Sequence, residues 1–283
     1  MAPDPYSALV VLFEPPADWA AGMQSLRPSP SESVVVANGE QAIERVGISL
    51  PGTILRLYPE NRGIAGAYSA ALHSISTEWL LFLDQDSTPD PEFIVEMFAA
   101  LHSAAESESV AVITPRITDR SLGVSSDRRE HPNSSNQIRR PPRFINSGSL
   151  FRVRALREIG GAWERLHVDL VDSELAIRLD QAGWAELHVP TATLHHSLGH
   201  LQAHRMLRRV VFATNHSAAR REAIGKGLAL VLRRHGLSSR GTRTVLRNAI
   251  GNIISMLLFE EDRLKKLIAF VRGMRSGWFD HVQ

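Results

Sequence analysis

Two aspartates, Asp84 and Asp86, stand directly after the apolar run WLLFL at residues 79–83. Carboxylates at i and i+2 on the end of a buried strand repel each other unless a cation lies beside them. A hard divalent ion shared with the oxygens of a diphosphate meets that need. The same D-x-D spacing is also common by chance. A second acidic group, Asp169, Asp172 and Glu174 with Arg178 behind it, falls in HVDLVDSELAIR. Acids at a helix start complement the positive end of the dipole, and one projecting into a cleft can take a proton from an acceptor hydroxyl. The third group is His195, His196, His200 and His204. The spacing of the last three suits a helical zinc face, but Gly199 interrupts it and no H-E-x-x-H glutamate accompanies it. One imidazole completing the coordination of an Asp84/Asp86 cation fits better. The chain has no G-x-x-x-x-G-K-[ST] loop, no G-x-S-x-G elbow and no G-x-G-x-x-G turn, so P-loop, esterase and dinucleotide readings have no anchor.

The elements that must hold these groups follow from apolar patterning. SALVVLF at residues 7–13 and SVVVA at 33–37 read as buried strands, the first stopped by Glu14-Pro15-Pro16 and the second by Asn38-Gly39. A short helix over 18–26 would join them as a β-α-β unit. TILRL at 53–57 is a third strand, NRGIAGAYSAALHSI from Asn61 a turn leading into a helix, and WLLFL the fourth strand. Continuous apolar strands alternating with helices indicate an open α/β sheet with parallel strands, whose ligands sit beyond the strands' carboxyl ends, where Asp84 and Asp86 fall. Further elements are expected at 91–105 (helix), 110–113 (strand), 144–153 (strand), 155–159 (helix) and 171–182 (helix). Residues 119–143 are a polar loop, and from about 203 onward the chain reads as helices.

Among 283 residues, 43% are hydrophobic, enough to fill a sizeable core, and none is cysteine, so disulfides, thiolate metal sites and a cysteine nucleophile are excluded. The start, MAPDPYSALV, lacks the pattern of a secretory signal, and a cytoplasmic protein is expected. Charge is divided: residues 1–199 carry 16 Lys+Arg against 25 Asp+Glu, whereas 200–283 carry 16 against 5. An acidic body with a basic, apolar-patterned tail suits an anionic lipid surface better than a nucleic-acid groove. A solvated helical face is the alternative, and self-association a further use of such a tail. The uncharged run between Arg247 and Glu260 is twelve residues, too short to span a bilayer.

In order, ENRGIAGAYSAAL, WLLFLDQDSTPDPEFI, INSGSLFRVRALREIGGAWERLHVDLVDSELAIRLDQAGW and LHHSLGH resemble the successive motifs of glycosyltransferase family 2. The L-D-Q-D-S and V-D-x-E-x-x-x-R blocks are most similar to bacterial rhamnosyltransferases of surface-polysaccharide assembly. The resemblance covers residues 7 to 200. It implies a GT-A fold, an open mixed sheet flanked by helices, as a domain over 1–202 with a helical extension over 203–283. It also implies an inverting transfer with Mg²⁺ or Mn²⁺, from a nucleoside-diphosphate sugar such as dTDP-L-rhamnose to a lipid-linked or growing glycan, at the inner face of the plasma membrane. Asp84, Asp86 and His196 match the metal group, Asp172 the general base, Asn61, Arg62 and Gly63 the loop beside the nucleotide, and Ser147 and Gly148 a turn near the donor sugar. Gln85 and Asn38 fall in the donor region with them.

Two positions depart from the pattern. Ala37 stands where the family places an acid for the base or ribose, and Leu12, Phe13 and Glu14 replace the group that ends the first strand. Glu14 or a neighbour would have to substitute. A different donor, such as UDP-galactofuranose or a UDP-hexose, and a non-catalytic scaffold in glycan assembly are the competing readings.

Overall fold

The computed structural model of the chain describes residues 3–46, 53–119, 134–196, 202–206 and 209–280, with backbone alone at 119, 202–206 and 209–213. At its centre β4 (Trp79–Asp84) pairs in parallel with β1 (Tyr6–Leu12), β1 with β2 (Glu32–Asn38), and β2 with β3 (Thr53–Tyr58). On its other edge β4 pairs antiparallel with β8 (Leu150–Arg152), and β8 antiparallel with β6 (Val110–Asp119). Beyond them β9 (Ala185–His196) runs parallel to β6, and the short strands β5 (Thr88–Pro89) and β7 (Gln137–Arg139) pair antiparallel with β9. The outcome is an open mixed sheet of nine strands, four of them parallel neighbours whose carboxyl ends share one edge.

Side chains alternate across each strand and build two cores. Tyr6, Ala8, Val10 and Leu12 of β1, with Trp79, Leu81 and Leu83 of β4, face α1 (Ala21–Ser25), α2 (Glu40–Arg45) and α4 (Phe93–Ser103). Here the Trp79 and Phe98 rings meet edge to face at 6.0 Å. Leu9, Leu80 and Phe82 point the other way, toward α3 (Gly63–Leu72), α5 (Val153–Glu158), α6 (Val171–Gln181) and α7 (Ala218–His235). Both faces of β4 are therefore covered, which is why its sequence carries no alternation.

Three expectations require correction. The strand placed at 144–153 is only Leu150–Arg152, because Gly148, at φ +73°, turns the chain and its N–H binds the Phe82 carbonyl at 2.7 Å. The all-helical tail from 203 begins instead with a hairpin, β10 (Gln202–Met206) and β11 (Arg209–Ala213), whose Val210-Val211-Phe212 favours a pleated surface. The loop at 119–143 begins as the last residue of β6 and contains β7, while residues 120–133 of it lie outside the described residues.

After the hairpin come α7, α8 (Arg240–Phe259) and α9 (Arg263–Phe279). Leu228, Leu230 and Val231 put α7 inside the second core. In turn α9 packs on α7 through Gly225, Gly273 and Gly277, where a Cβ would collide with the carbonyls of Phe270, Glu222 and Lys226 respectively. Glu260, between α8 and α9, is fully enclosed by Arg221 of α7 at 2.6 Å and Lys266 of α9 at 2.9 Å. The tail is thus joined to the sheet by backbone contact and by a buried ion group. Gly273→Ala should lower unfolding stability by about 1–3 kcal/mol, since the obstruction is backbone and cannot swing aside. Urea unfolding of this variant beside Gly251→Ala, where the added methyl meets open space, checks the assignment.

Candidate functional site

Asp84 is the last residue of β4, and Asp86 lies two residues on, in the turn before β5. Across the sheet edge His196 ends β9. Its Nδ1 lies 3.2 Å from Asp86 Oδ1, and its Nε2 lies 3.8 Å from Asp84 Oδ2. The three residues offer ligand atoms that all fall within 4.8 Å of one another, a grouping that can hold a metal ion. Asp84 and Asp86 remain 36% and 41% exposed, so the cluster opens to solvent, while His196 at 12% closes its inner side.

A buried hydroxyl relay fixes this geometry. Ser147 Oγ accepts from the Asp84 N–H at 3.3 Å and shares a hydrogen bond with Ser87 Oγ at 2.9 Å, and Ser87 Oγ lies 2.8 Å from His196 Nδ1. A proton on Nδ1 shared with Ser87 or Asp86 leaves the Nε2 lone pair directed toward Asp84, the tautomer a cation needs. Ser87 is a site residue that sequence reasoning passed over. Its only signal was its place three residues after Asp84, because its partners stand 60 and 109 residues away. His195, next to His196, points to the other side of the strand and pairs with Asp90 at 2.9 Å. The helical histidine face is therefore corrected: His195 and His196 are strand residues, His204 lies in β10, and His200 lies outside the described residues.

Electrostatics agree with a cation at this point. Burial pushes the Asp84 carboxyl above the usual carboxylate range and the Asp86 charge adds to the push, while His196 and the Ser147 hydrogen bond pull the other way. Two carboxylates and one imidazole are a donor set acceptable to Mg²⁺ or Mn²⁺. The residues present fit the ion, and a positive charge there would relieve the repulsion that the protein alone leaves.

Of the acidic group at the start of α6, Asp172 alone keeps its carboxylate clear of cationic partners. Glu174 is fully buried, held by Arg178 at 2.6 Å, His235 at 3.1 Å and Arg234 at 3.3 Å. Arg178 in turn donates to the Gly161 carbonyl at 2.7 Å. Both belong to the scaffold. Asp169 pairs with Arg220 at 3.1 Å. Asp172 accepts from the neighbouring Ser173 N–H at 2.7 Å. Burial raises its proton affinity above the usual carboxylate value, against the Ser173 hydrogen bonds and with some help from Asp169. Tyr68, stacked on Phe82 with ring centroids 4.0 Å apart, ties the two acidic centres together. Its hydroxyl is held well above the usual value by burial, with Asp84 and Asp172 both adding to the rise.

The remaining sequence candidates line the same edge. Gln85, between the two metal-group aspartates, donates to the Phe13 carbonyl at 2.9 Å and accepts from its N–H at 3.0 Å. This continues the β1–β4 ladder beyond its last pair and leaves the Phe13 ring exposed beside Gly39. Glu14 follows at φ +48°. Asn38 and Asn61 make a cage: Asn38 donates to Asn61 Oδ1 at 3.0 Å and accepts from the Arg62 N–H at 2.8 Å, and Asn61 accepts from the Gly63 N–H at 2.8 Å. Gly63, at φ +68°, lies against the His167 carbonyl, which leaves no room for a Cβ. The cage delivers Arg62 to the surface, over the Tyr58 ring at 4.9 Å. Ala37, the position lacking the expected acid, is completely buried. A cavity of about 590 Å³ is lined by Ser173 of α6 with Ser149, Arg139, Arg143, Phe144 and Thr244, among others, and Asp172 is not part of its wall.

Residues 31–160 match the family model described as Glycosyl transferase family 2. No curated protein gives a significant sequence match. Among solved structures, the chain is similar to residues 1–349 of S. aureus TarS, with TM-score 0.61 and 12% identity over 95% of this chain and 81% of that one. It is similar also to the mannosyltransferase PcManGT from Pyrobaculum calidifontis in complex with GDP-Man and Mn²⁺, with TM-score 0.54 and 16% identity over 100% and 79%. A third is GalNAc-T7 with UDP, GalNAc and Mn²⁺, with TM-score 0.56 and 13% identity over 82% of this chain and 48% of that one. The chain spans about half of GalNAc-T7 and 44% of a longer TarS chain. At these identities the likeness establishes the fold, which is GT-A-like.

The raised affinity of Asp172 for its proton yields a stability test. A carboxyl whose folded-state pKa exceeds its unfolded value stabilises the protein when protonated, and that contribution is lost as pH rises through the unfolded and then the folded pKa. Asp172→Asn should therefore melt higher than wild type at neutral pH, by about 2–4 °C if the relief is about 1 kcal/mol. The difference should shrink as pH falls below the carboxylate range, where the wild type is protonated too. Melting curves of both proteins from pH 3 to 8 provide the check.

Proposed function

We propose that this chain is an inverting, metal-dependent glycosyltransferase that moves L-rhamnose from dTDP-L-rhamnose to a lipid-linked or growing polysaccharide acceptor, working peripherally at the inner face of the plasma membrane. The observation that carries the transfer reading is the convergence of Asp84, Asp86 and His196 at the carboxyl end of β4, with Asp172 beyond Tyr68. A GT-A-like fold and the match of residues 31–160 to glycosyl transferase family 2 support it. The choice of rhamnose rests on the likeness of the L-D-Q-D-S and V-D-x-E-x-x-x-R blocks to one branch of that family.

In this reading Asp86, Asp84 and His196 would hold the cation, with Asp84 also within reach of the ribose. A divalent cation held there would supply positive charge to the departing diphosphate. On the donor side, the Phe13 ring offers a face for the nucleobase where Ala37 supplies no acid, and Glu14 is the nearest carboxylate to replace it. Asn38, Asn61 and Gly63 act by holding Arg62 at the nucleotide edge, and Ser147 and Gly148 shape the floor under the sugar. Asp172 takes the acceptor hydroxyl proton as that oxygen attacks the anomeric carbon from the face opposite the diphosphate. The anomeric C–O bond breaks with its electron pair on the leaving group, and configuration inverts. A carboxylate with raised proton affinity is a stronger base, closer to what this step requires near neutral pH.

Calorimetry with dTDP-rhamnose, UDP-galactose and UDP-galactofuranose, with and without Mn²⁺, tests donor and metal together. The expected result is metal-dependent binding of dTDP-rhamnose that Asp86→Ala abolishes. Asp172→Asn should keep donor binding and lose about 10²–10⁴-fold in kcat. Wild-type transfer by either variant would overturn the assignment. Binding of a UDP-sugar alone would replace the donor. A chain that binds none of the three would be the non-catalytic scaffold that the buried Ala37 favours.

A further inference from the structure

The two C-terminal helices are apolar on the wrong side as well as the right one. In α8 the inward stripe is Val245, Ala249, Ile253 and Met256, packed on the second core or buried. On the opposite face Ile250, Ile254 and Leu258 are exposed, each by half or more. In α9 the contrast is sharper: the inward residues include Ala269, Gly273 and Gly277, pressed on α7, whereas Leu264, Ile268, Val271 and Phe279 line the outward face. Leu264 and Phe279 are 71% and 72% exposed. A solvated surface helix keeps its bulky apolar residues inward and its polar residues outward, and these two helices do the reverse on their second faces.

Charge identifies what covers them. Neither α8 nor α9 contains a single Asp or Glu. Arg247 stands one turn from Ile250 and two from Ile254, and Arg275 lies between Val271 and Phe279 on the same stripe. Arg247, Lys265 and Arg275 are exposed, and no described carboxylate pairs with them. The acids at the α8–α9 turn are Glu260, buried by Arg221 and Lys266, and the exposed Glu261 and Asp262. A second copy of this surface would bring arginine against arginine. An anionic bilayer instead accepts the apolar side chains below its headgroups and the guanidinium groups among its phosphates. Trp278, exposed beside Phe279, suits the same boundary between apolar and wet.

From this we infer that the outward faces of α8 and α9 form a docking surface for anionic phospholipid, lying on the membrane without crossing it. Among the described residues no helix is long and apolar enough to cross. The inference rests on the peripheral placement proposed above but not on the donor, the metal or catalysis.

The test is cosedimentation of the full chain with vesicles of phosphatidylcholine alone and of phosphatidylcholine with one third phosphatidylglycerol. Binding should appear on the anionic vesicles, fall with added salt, and drop by about tenfold or more in Ile254→Asp/Ile268→Asp, since each change removes a buried side chain from the acyl boundary. Arg247→Glu/Arg275→Glu should lose the preference for anionic over neutral vesicles. All four positions are exposed, and unchanged melting temperatures confirm that the variants fold. Absence of binding to anionic vesicles, or equal binding by the aspartate variant, overturns the inference. So does concentration-dependent dimerisation that the aspartate variant abolishes in a protein that ignores vesicles. Donor calorimetry on the same variants should be unchanged, which keeps failure of this surface distinct from failure of the transferase reading.

Discussion

Two carboxylates forced close together on the end of the central strand set the terms for this molecule. Asp84 is held by the β1–β4 ladder and by the hydrogen bond from its own N–H to Ser147, so it cannot retreat from Asp86. A protein gains nothing from such an arrangement in isolation, because both desolvation and like charge oppose ionisation. The surrounding structure is what makes it persist: a β4 covered on both faces, a β9 that ends at His196, and two buried serines that bind these strand ends to one another. Strain of this kind is characteristic of sites that meet a charged ligand.

The opposite half of the cleft obeys a different rule. There the acids near Asp172 are partnered one by one, Glu174 by Arg178, Arg234 and the His235 imidazole and Asp169 by Arg220, until a single carboxylate is left with raised proton affinity. Tyr68 feels both groups, since Asp84 and Asp172 each add to the rise of its hydroxyl although 88 residues of sequence separate them.

What could be read from sequence was what depends on local pattern. The apolar runs of β1, β2 and β4 located the parallel half of the sheet, and the D-x-D after WLLFL located two of the three residues of the group that can hold a metal. The start of α6 was legible too, within a residue. What escaped were features that exist only once distant segments meet. Ser87 reads as a turn residue until His196 and Ser147 arrive, and Glu174 reads as a surface acid until α7 brings Arg234 and His235 over it. The β10–β11 hairpin was missed because helical periodicity further along the tail was extended backward over a short β-forming run. Asn38 and Asn61 could not be read from sequence as a pair whose amides bind the loop to itself.

Gln85 carries a consequence that reaches past its hydrogen bonds. Both ends of its amide are committed to the Phe13 backbone, and it is flanked in sequence by the two aspartates of the metal group. Residues 84–86 and the segment that presents the Phe13 ring are thereby a single mechanical piece. Any displacement of residues 84–86 is transmitted to Phe13. In the proposed transferase, that coupling would hold the spacing between cation and nucleobase fixed.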